Sequence, residues 1–272
     1  MDKCVEIYIL THKEIKEEYD SSLYIPILNG SANTKQDYGY VRDDAGDNIS
    51  KLHKNYSELT SEYWVWKNSN ADIIGFCHYR RWYVKNLKLD KLTKSDILND
   101  LDEYDIILPE KIKSEDTLFD LQKKWDVIFP DYDVTYEDYL KVGEVLENFF
   151  PDYAKTYSEV MNSNEMWACN MFISKYEIAD EYFKWLFDVC DKLKNEIDFN
   201  EYDMRDSRVF GFIAERLLTT YIVKNNFNVK EYPLVITEGG RKHLRLYVLF
   251  SKFPFLEKFE SFLSTILNKI GR

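Results

Sequence analysis

The sequence predicts an α/β fold, a mostly parallel sheet flanked by helices, and three observations carry that expectation. A short β-prone run, "VEIYIL" (5–10), is followed by an amphipathic helical stretch and then by a second apolar run, "DIIGFC" (72–77), an order that reads as a βαβ unit. Further β-prone runs then alternate with strongly periodic helices. The chain has 272 residues, 45% of them hydrophobic, so it can bury a substantial core. No repeat and no linker divides it, and one domain over 1–272 is expected.

The first run stops at Thr11-His12-Lys13, polar residues suited to a loop. "LYIPIL" (23–28) is a second extended piece, kept out of helix by Pro26. Gly, Asn, Asp and Ser crowd 30–47, a connection long enough to suggest a binding or lid loop. Asp47 or Asn48 reads as an N-cap opening one helix to about Asn68, with Leu52, Tyr56, Leu59, Tyr63 and Trp66 as its apolar stripe. "YDIILP" (104–109) reads as a buried strand, and 136–161 as helix interrupted by Pro151. "MWACNMFIS" (166–174) reads as another strand, with Asn170 breaking its apolar run. Helices follow over about 178–194 and 207–225, then an edge strand at 229–236, where Pro233 cannot donate to a ladder. The tail, 245–272, reads as a helix packed back on the domain or, alternatively, lying on a membrane surface.

Composition excludes several classes. A formal net charge of -12 argues against general nucleic-acid binding, since it repels phosphate backbones, although a local basic pocket is compatible with it. The cysteines Cys4, Cys77, Cys169 and Cys190 show no metal-ligand or disulfide spacing. No signal peptide and no apolar run near the ~18–20 residues of a membrane span is visible, so a soluble cytoplasmic protein is expected. Glycine-rich phosphate loops, Gly-x-Ser-x-Gly and His-Glu-x-x-His are absent. Two Asp-x-Asp pairs, Asp100–Asp102 and Asp131–Asp133, could hold a divalent cation, but chance matches are expected among so many acids.

In open α/β sheets, ligands bind beyond the carboxyl ends of the strands. Thr11, His12 and Lys13 end the first strand, and His78-Tyr79-Arg80-Arg81 ends the 72–77 run. Arginine forks match phosphate geometry, so these residues read as a diphosphate or carboxylate pocket; the bland alternative is pairing with surface acids. Arg208, Gly211 and Glu215 share one helix face, where Glu215 could serve as a general base or simply pair with Arg208 or Arg216. Aromatics make up 16% of the chain; most fill the core, while Trp64 lies off the apolar stripe and could stack on a sugar ring.

The strings "DDAGDNISKLHKNYSELTSEYWVWKN", "IIGFCHYRRWY", "CNMFISKYE" and "RVFGFIAERLL" together resemble a bacterial domain-of-unknown-function family found in capsular and exopolysaccharide gene clusters. Its members are regarded as glycosyltransferases, some associated with galactofuranose transfer. The likeness runs from about Ile7 to Tyr221. Departures at Leu52-His53 and at Ser57, where a Cys is common, are expected to lie away from the site. The resemblance implies a GT-A-like (Rossmann-like) domain moving a sugar from a nucleotide donor, UDP-linked in the first instance, to a saccharide or lipid-linked oligosaccharide. It implies nucleotide contacts from Thr11, His12 and Lys13, and base or donor-sugar contacts from Asp47 and Asn48. His78, Tyr79, Arg80 and Arg81 would stand where GT-A enzymes keep a metal-binding Asp-x-Asp, so arginine charge could replace a cation. His78 as a ligand to Mn or Mg is the competing picture, and the cofactor is left open. Arg208 joins the donor contacts, Trp64 and Asn170 the acceptor or sugar contacts, and Glu215 becomes the base. A carbohydrate-binding module, or a glycoside hydrolase with two carboxylates flanking one bond, remains as an alternative.

Overall fold

A computed structural model describes residues 3–86, 88–129, 134–197 and 208–237. Its centre is β1 (Val5–Thr11), flanked on both sides by parallel neighbours, β2 (Tyr24–Leu28) and β4 (Ile73–His78). β3 (Val41–Arg42) adds two residues beyond β2. On the other flank β9 (Ile173–Lys175) runs antiparallel between β4 and β6 (Ile106–Pro109), and β10 (Val229–Tyr232) closes that edge parallel to β6. The order is β10-β6-β9-β4-β1-β2-β3. β5 (Arg81–Tyr83) folds back on β4 and carries β11 (Leu234–Ile236), while β7 (Ile112–Lys113) and β8 (Glu165–Met166) form a separate ribbon. The expected mostly parallel α/β sheet is what forms.

The sheet is covered on both faces. Alternate residues of β1 enter different cores: Tyr8 and Leu10 face one, Val5, Ile7 and Ile9 the other. The first and larger layer is built by α2 (Leu59–Asn68), α5 (Tyr136–Phe149), α6 (Pro151–Met161), α7 (Tyr176–Leu193) and α8 (Val209–Asn225). The second takes Ile97 and Leu101 of α3 (Lys94–Glu103) together with Trp82 and Tyr83 of β5. Gly75 of β4 lies where Ile7 and Ile173 close over the strand; a methyl group there would stand 2.6 Å from Ile173 Cγ1 and 2.8 Å from Ile7 Cδ1. Capping is explicit in the sequence. Thr93 with Asp96 and Thr135 with Asp138 form reciprocal capping boxes on α3 and α5. Pro151 opens α6 at its first turn, so the expected interruption is a helix start.

Three expectations are corrected. The single helix from Asp47 or Asn48 to Asn68 is instead a 3-10 turn over Ser50–Leu52, a four-residue α1 (His53–Tyr56) and α2, broken at Ser57 with φ 50°. Leu52 therefore leaves the apolar stripe and is exposed. The 166–174 strand survives only as its two ends, because Cys169 and Asn170 both adopt positive φ and turn the chain. The 229–236 strand divides at Pro233 into β10 and β11, which join different partners. Asp100 and Asp102 sit in the last turns of α3, whereas Asp131–Asp133 and the 245–272 tail lie outside the described residues.

The break at Ser57 follows from Asp43, a carboxylate with no exposed surface. It accepts the backbone N–H groups of Gly30 and Ser31, both at 2.8 Å, and the hydroxyls of Ser50 (2.5 Å), Thr60 (2.7 Å) and Ser61 (3.2 Å). Reaching one carboxylate from both Ser50 and Thr60 is geometry a straight helix does not offer. Thr34 ends the 3-10 turn that Gly30 begins at φ 63°, with the Gly30 Cα facing the His53 ring so closely that a methyl group would clash at 2.4 Å. Replacing Asp43 by Ala strands the Gly30 and Ser31 N–H groups and the Ser50 hydroxyl, while Thr60 and Ser61 keep the Ser57 carbonyl and Asn29 as acceptors, and urea unfolding should show a loss of about 3 kcal/mol or more.

Candidate functional site

The carboxyl ends of β1, β2 and β4 open into a cavity of about 470 Å³. Each wall comes from a different part of the chain. Leu10 and His12 end β1, and Asn29 follows β2, its N–H bound to the Thr11 carbonyl at 2.7 Å. The β4–β5 turn contributes His78, Tyr79, Arg80 and Arg81, with the Tyr79 N–H on the Leu10 carbonyl and the Thr237 N–H, just past β11, on the Arg80 carbonyl at 2.9 Å. His53 and Lys54 of α1, the Ser57–Glu58 kink, Cys169, and Arg208, Gly211, Phe212 and Glu215 of α8 complete it.

Among the described lining residues, Lys54, Arg80, Arg81 and Arg208 set four permanent cations against two carboxylates, Glu58 and Glu215, in a chain whose net charge is -12. Tyr79 is their platform: His12 meets its ring edge-on at 5.2 Å, the Lys13 ammonium lies 4.5 Å and the Arg80 guanidinium 5.7 Å from its centroid. Partial burial, and then the charges of Lys13, His53, Arg80 and Arg208, push the His12 imidazole below its ordinary value. A bound anion would reverse that repulsion.

His78 has a different place. Its Nε2 donates to the Cys169 carbonyl at 2.9 Å, and burial lowers its pKa to about 4, so it is neutral at physiological pH. Burial opposes the Glu58 charge, but the neighbouring His78 and hydrogen bonds from Ser57 and Asn170 outweigh it and hold the carboxyl below its usual range. Burial raises Glu215 instead, against the opposing pull of Arg216. Its Oε1 accepts the Cys169 N–H at 3.0 Å and its Oε2 pairs with Arg216 at 3.1 Å.

Eight residues singled out in the sequence as parts of a site meet in this cavity: His12, His78, Tyr79, Arg80, Arg81, Arg208, Gly211 and Glu215. Thr11 stands just behind, its hydroxyl bonded to the Lys13 carbonyl, and Lys13 lies at the rim over Tyr79. Asp47, Asn48, Trp64 and Asn170 do not line it. Asp47 accepts from Tyr63 and, through its carbonyl, from Asn68; Asn48 closes its own turn onto Asp44 and Gly46. The Trp64 indole N–H is bound to the Ala45 carbonyl, so this ring fastens the loop. Asn170 is buried behind the wall, its amide shared between Glu58 Oε1 and the Gly211 carbonyl, both at 2.8 Å. Conversely, His53 and Ser57 face the cavity, so the two departures expected to lie elsewhere fall on the site. Glu58 was missed because nothing in "SELTSEYW" separates it from Glu62 until the kink is known.

Residues 6–226 match the family described as "Domain of unknown function (DUF4422)", and the chain belongs to that family. No curated protein matches it. A solved structure described as the WbbM bifunctional glycosyltransferase in its apo form is similar, with a TM-score of 0.76 and 28% sequence identity over 86% of this chain. The match spans 45% of that chain, under half its length. The fold is accordingly α/β and GT-A-like.

Because His78 is held neutral, the unfolded chain takes up a proton there that the folded chain refuses, from the ordinary value of 6.5 down to about 4. Stability should fall as pH drops through that window, by up to about 1.4 kcal/mol per unit from this group. Urea unfolding at stepped pH should show a shallower slope for His78→Gln than for the wild type.

Proposed function

We propose that this member of the DUF4422 family is a glycosyltransferase that takes its sugar from a nucleoside-diphosphate donor, UDP-linked in the first instance. One observation carries the reading: four permanent cations converge at the carboxyl ends of parallel strands in an otherwise acidic molecule. A cavity there suits a nucleotide, and arginine forks suit its phosphates. The glycosyltransferase described in the similar structure supports the same class. Its acceptor would be a saccharide, free or lipid-linked, in polysaccharide assembly. No helix among the described residues is long and apolar enough to cross a membrane.

Arg80, Arg81 and Arg208 would bind the diphosphate, with His12, Lys13 and Tyr79 at its edge. As the bond to the anomeric carbon breaks, negative charge grows on the leaving phosphate, and guanidinium groups already in place stabilise it without reorganising. The divalent cation common in GT-A enzymes finds no ready ligand group among the described residues. His78 spends its Nε2 on Cys169, and among the described residues no group of three His, Cys, Asp or Glu is placed to hold a metal ion. A carboxylate facing the cavity, Glu58 or Glu215, would receive the acceptor proton.

Two carboxylates in one cavity also suit a glycoside hydrolase, and nucleotide dependence separates the readings. Titration calorimetry with UDP should show equal binding in manganese and in EDTA, and Arg80→Ala or Arg81→Ala should weaken it by at least about tenfold. UDP affinity should also rise as pH falls from 8 towards 6. The bound diphosphate raises the depressed His12 pKa, so binding takes up a proton. Absence of UDP binding in both buffers would overturn the transferase reading.

A further inference from the structure

We propose that Glu58, not Glu215, is the catalytic carboxylate that takes the proton of the acceptor hydroxyl, an assignment that rests on the transferase reading above. Both carboxylates face the cavity, and their surroundings separate them. Glu215 is occupied on both oxygens. Oε1 holds the Cys169 N–H and Oε2 the Arg216 guanidinium, which is itself fixed by the Phe212 carbonyl at 3.2 Å and stacked 5.0 Å from the Tyr139 ring centroid. Its charge is neutralised within the helix, and its work is to fasten the 169–170 loop to α8.

Glu58 is aimed rather than neutralised. No Lys or Arg pairs with it among the described residues; its Oε1 instead accepts the Asn170 amide at 2.8 Å. Asn170 reaches it from a left-handed backbone (φ 48°), directly after Cys169 (φ 78°), two consecutive conformations that cost energy in residues other than glycine. What this strain delivers is one amide donating to Glu58 and to the Gly211 carbonyl at once. The absent side chain of Gly211 leaves the carboxylate uncovered. A methyl group on Gly211 would stand 3.6 and 3.7 Å from the two Glu58 oxygens and 3.3 Å from Ser57 Cβ. The break at Ser57 puts Glu58 at the head of α2, facing the same cavity as Arg80 and Arg81.

The chemistry balances. The acceptor O–H gives its proton to Glu58, the acceptor oxygen bonds to the anomeric carbon, and the bond from that carbon to the phosphate oxygen breaks with its electron pair leaving on the diphosphate. Glu62, one turn further along α2, has its pKa pushed well up by burial and by Glu58; it is buried and does not line the cavity, so it does not compete.

The test compares Glu58→Gln, Glu215→Gln and Gly211→Ala by UDP release from UDP-glucose, UDP-galactose and UDP-N-acetylglucosamine with simple saccharide acceptors, alongside UDP calorimetry. Glu58→Gln should lose about a hundredfold or more in turnover with UDP affinity unchanged within about threefold, the range expected for a lost general base. Gly211→Ala removes no charge, yet its methyl covers the carboxylate; turnover should fall about tenfold with UDP binding intact. Glu215→Gln should lower the melting temperature and cost less than about tenfold in turnover. A hundredfold loss in Glu215→Gln with UDP still bound, or near-normal turnover in Glu58→Gln, would give the role to Glu215. If Glu58→Gln does not fold, normal turnover in Gly211→Ala overturns the assignment. No UDP binding by the wild type would defeat the transferase reading itself, whereas UDP bound without release from any donor would overturn the base assignment alone.

Discussion

The buried carboxylate of Asp43 is the constraint on which the cavity depends. Five donors from Gly30, Ser31, Ser50, Thr60 and Ser61 converge on it, drawn from the loop after β2, the 3-10 turn and the first turn of α2. A buried charge is tolerable when hydrogen bonds replace its hydration shell, and here they do. The reach required of Ser50 and Thr60 bends the chain at Ser57, and that bend turns Glu58 towards the strand ends. A core interaction thus sets the direction of a cavity side chain that it never touches.

The second constraint is electrostatic separation. The molecule is acidic, but several of its acids are engaged with cations away from the cavity: Glu165 between Lys111 and Lys113, Asp96 with Lys85 and Thr93, Asp116 with Lys124. Among the described residues lining the cavity the cations outnumber the acids, and a concave wall of low dielectric focuses their field. The surrounding negative surface does not cancel this, because exposed charges more than about 10 Å away are screened by salt. A positive field inside a protein of this net charge is therefore a matter of local geometry.

The strand ends and the α8 face were legible in the sequence because both rest on short-range pattern. The alternation of β1 and β4 places His12 and His78–Arg81 at one edge of the sheet, and helical spacing aligns Arg208, Gly211 and Glu215. Asp43 was not legible: its partners lie between 7 and 18 residues away, and an Asp inside a polar loop looks like any other. The same blindness hid the break at Ser57, where Leu52, Tyr56 and Leu59 mimic an uninterrupted stripe, and the turn at Cys169–Asn170, whose cause is a contact with Glu58 112 residues distant. Asp47, Asn48 and Trp64 looked chemical because polar and aromatic residues in a long loop do. Their hydrogen bonds, to Asn68, Gly46 and Ala45, lie within that loop and α2, and none of the three lines the cavity.

The strand that holds the arginine turn pairs with residues far along the chain. Ile236 lies opposite Arg81, and the Thr237 N–H closes on the Arg80 carbonyl. During synthesis, the β4–β5 turn leaves the ribosome more than a hundred residues before its partner. Until residues 234–237 emerge, the arginines sit on a two-stranded flap lacking its third strand, and the turn that carries them is incomplete. The arginine turn is therefore complete only once a segment far along the chain has been made and has paired with it.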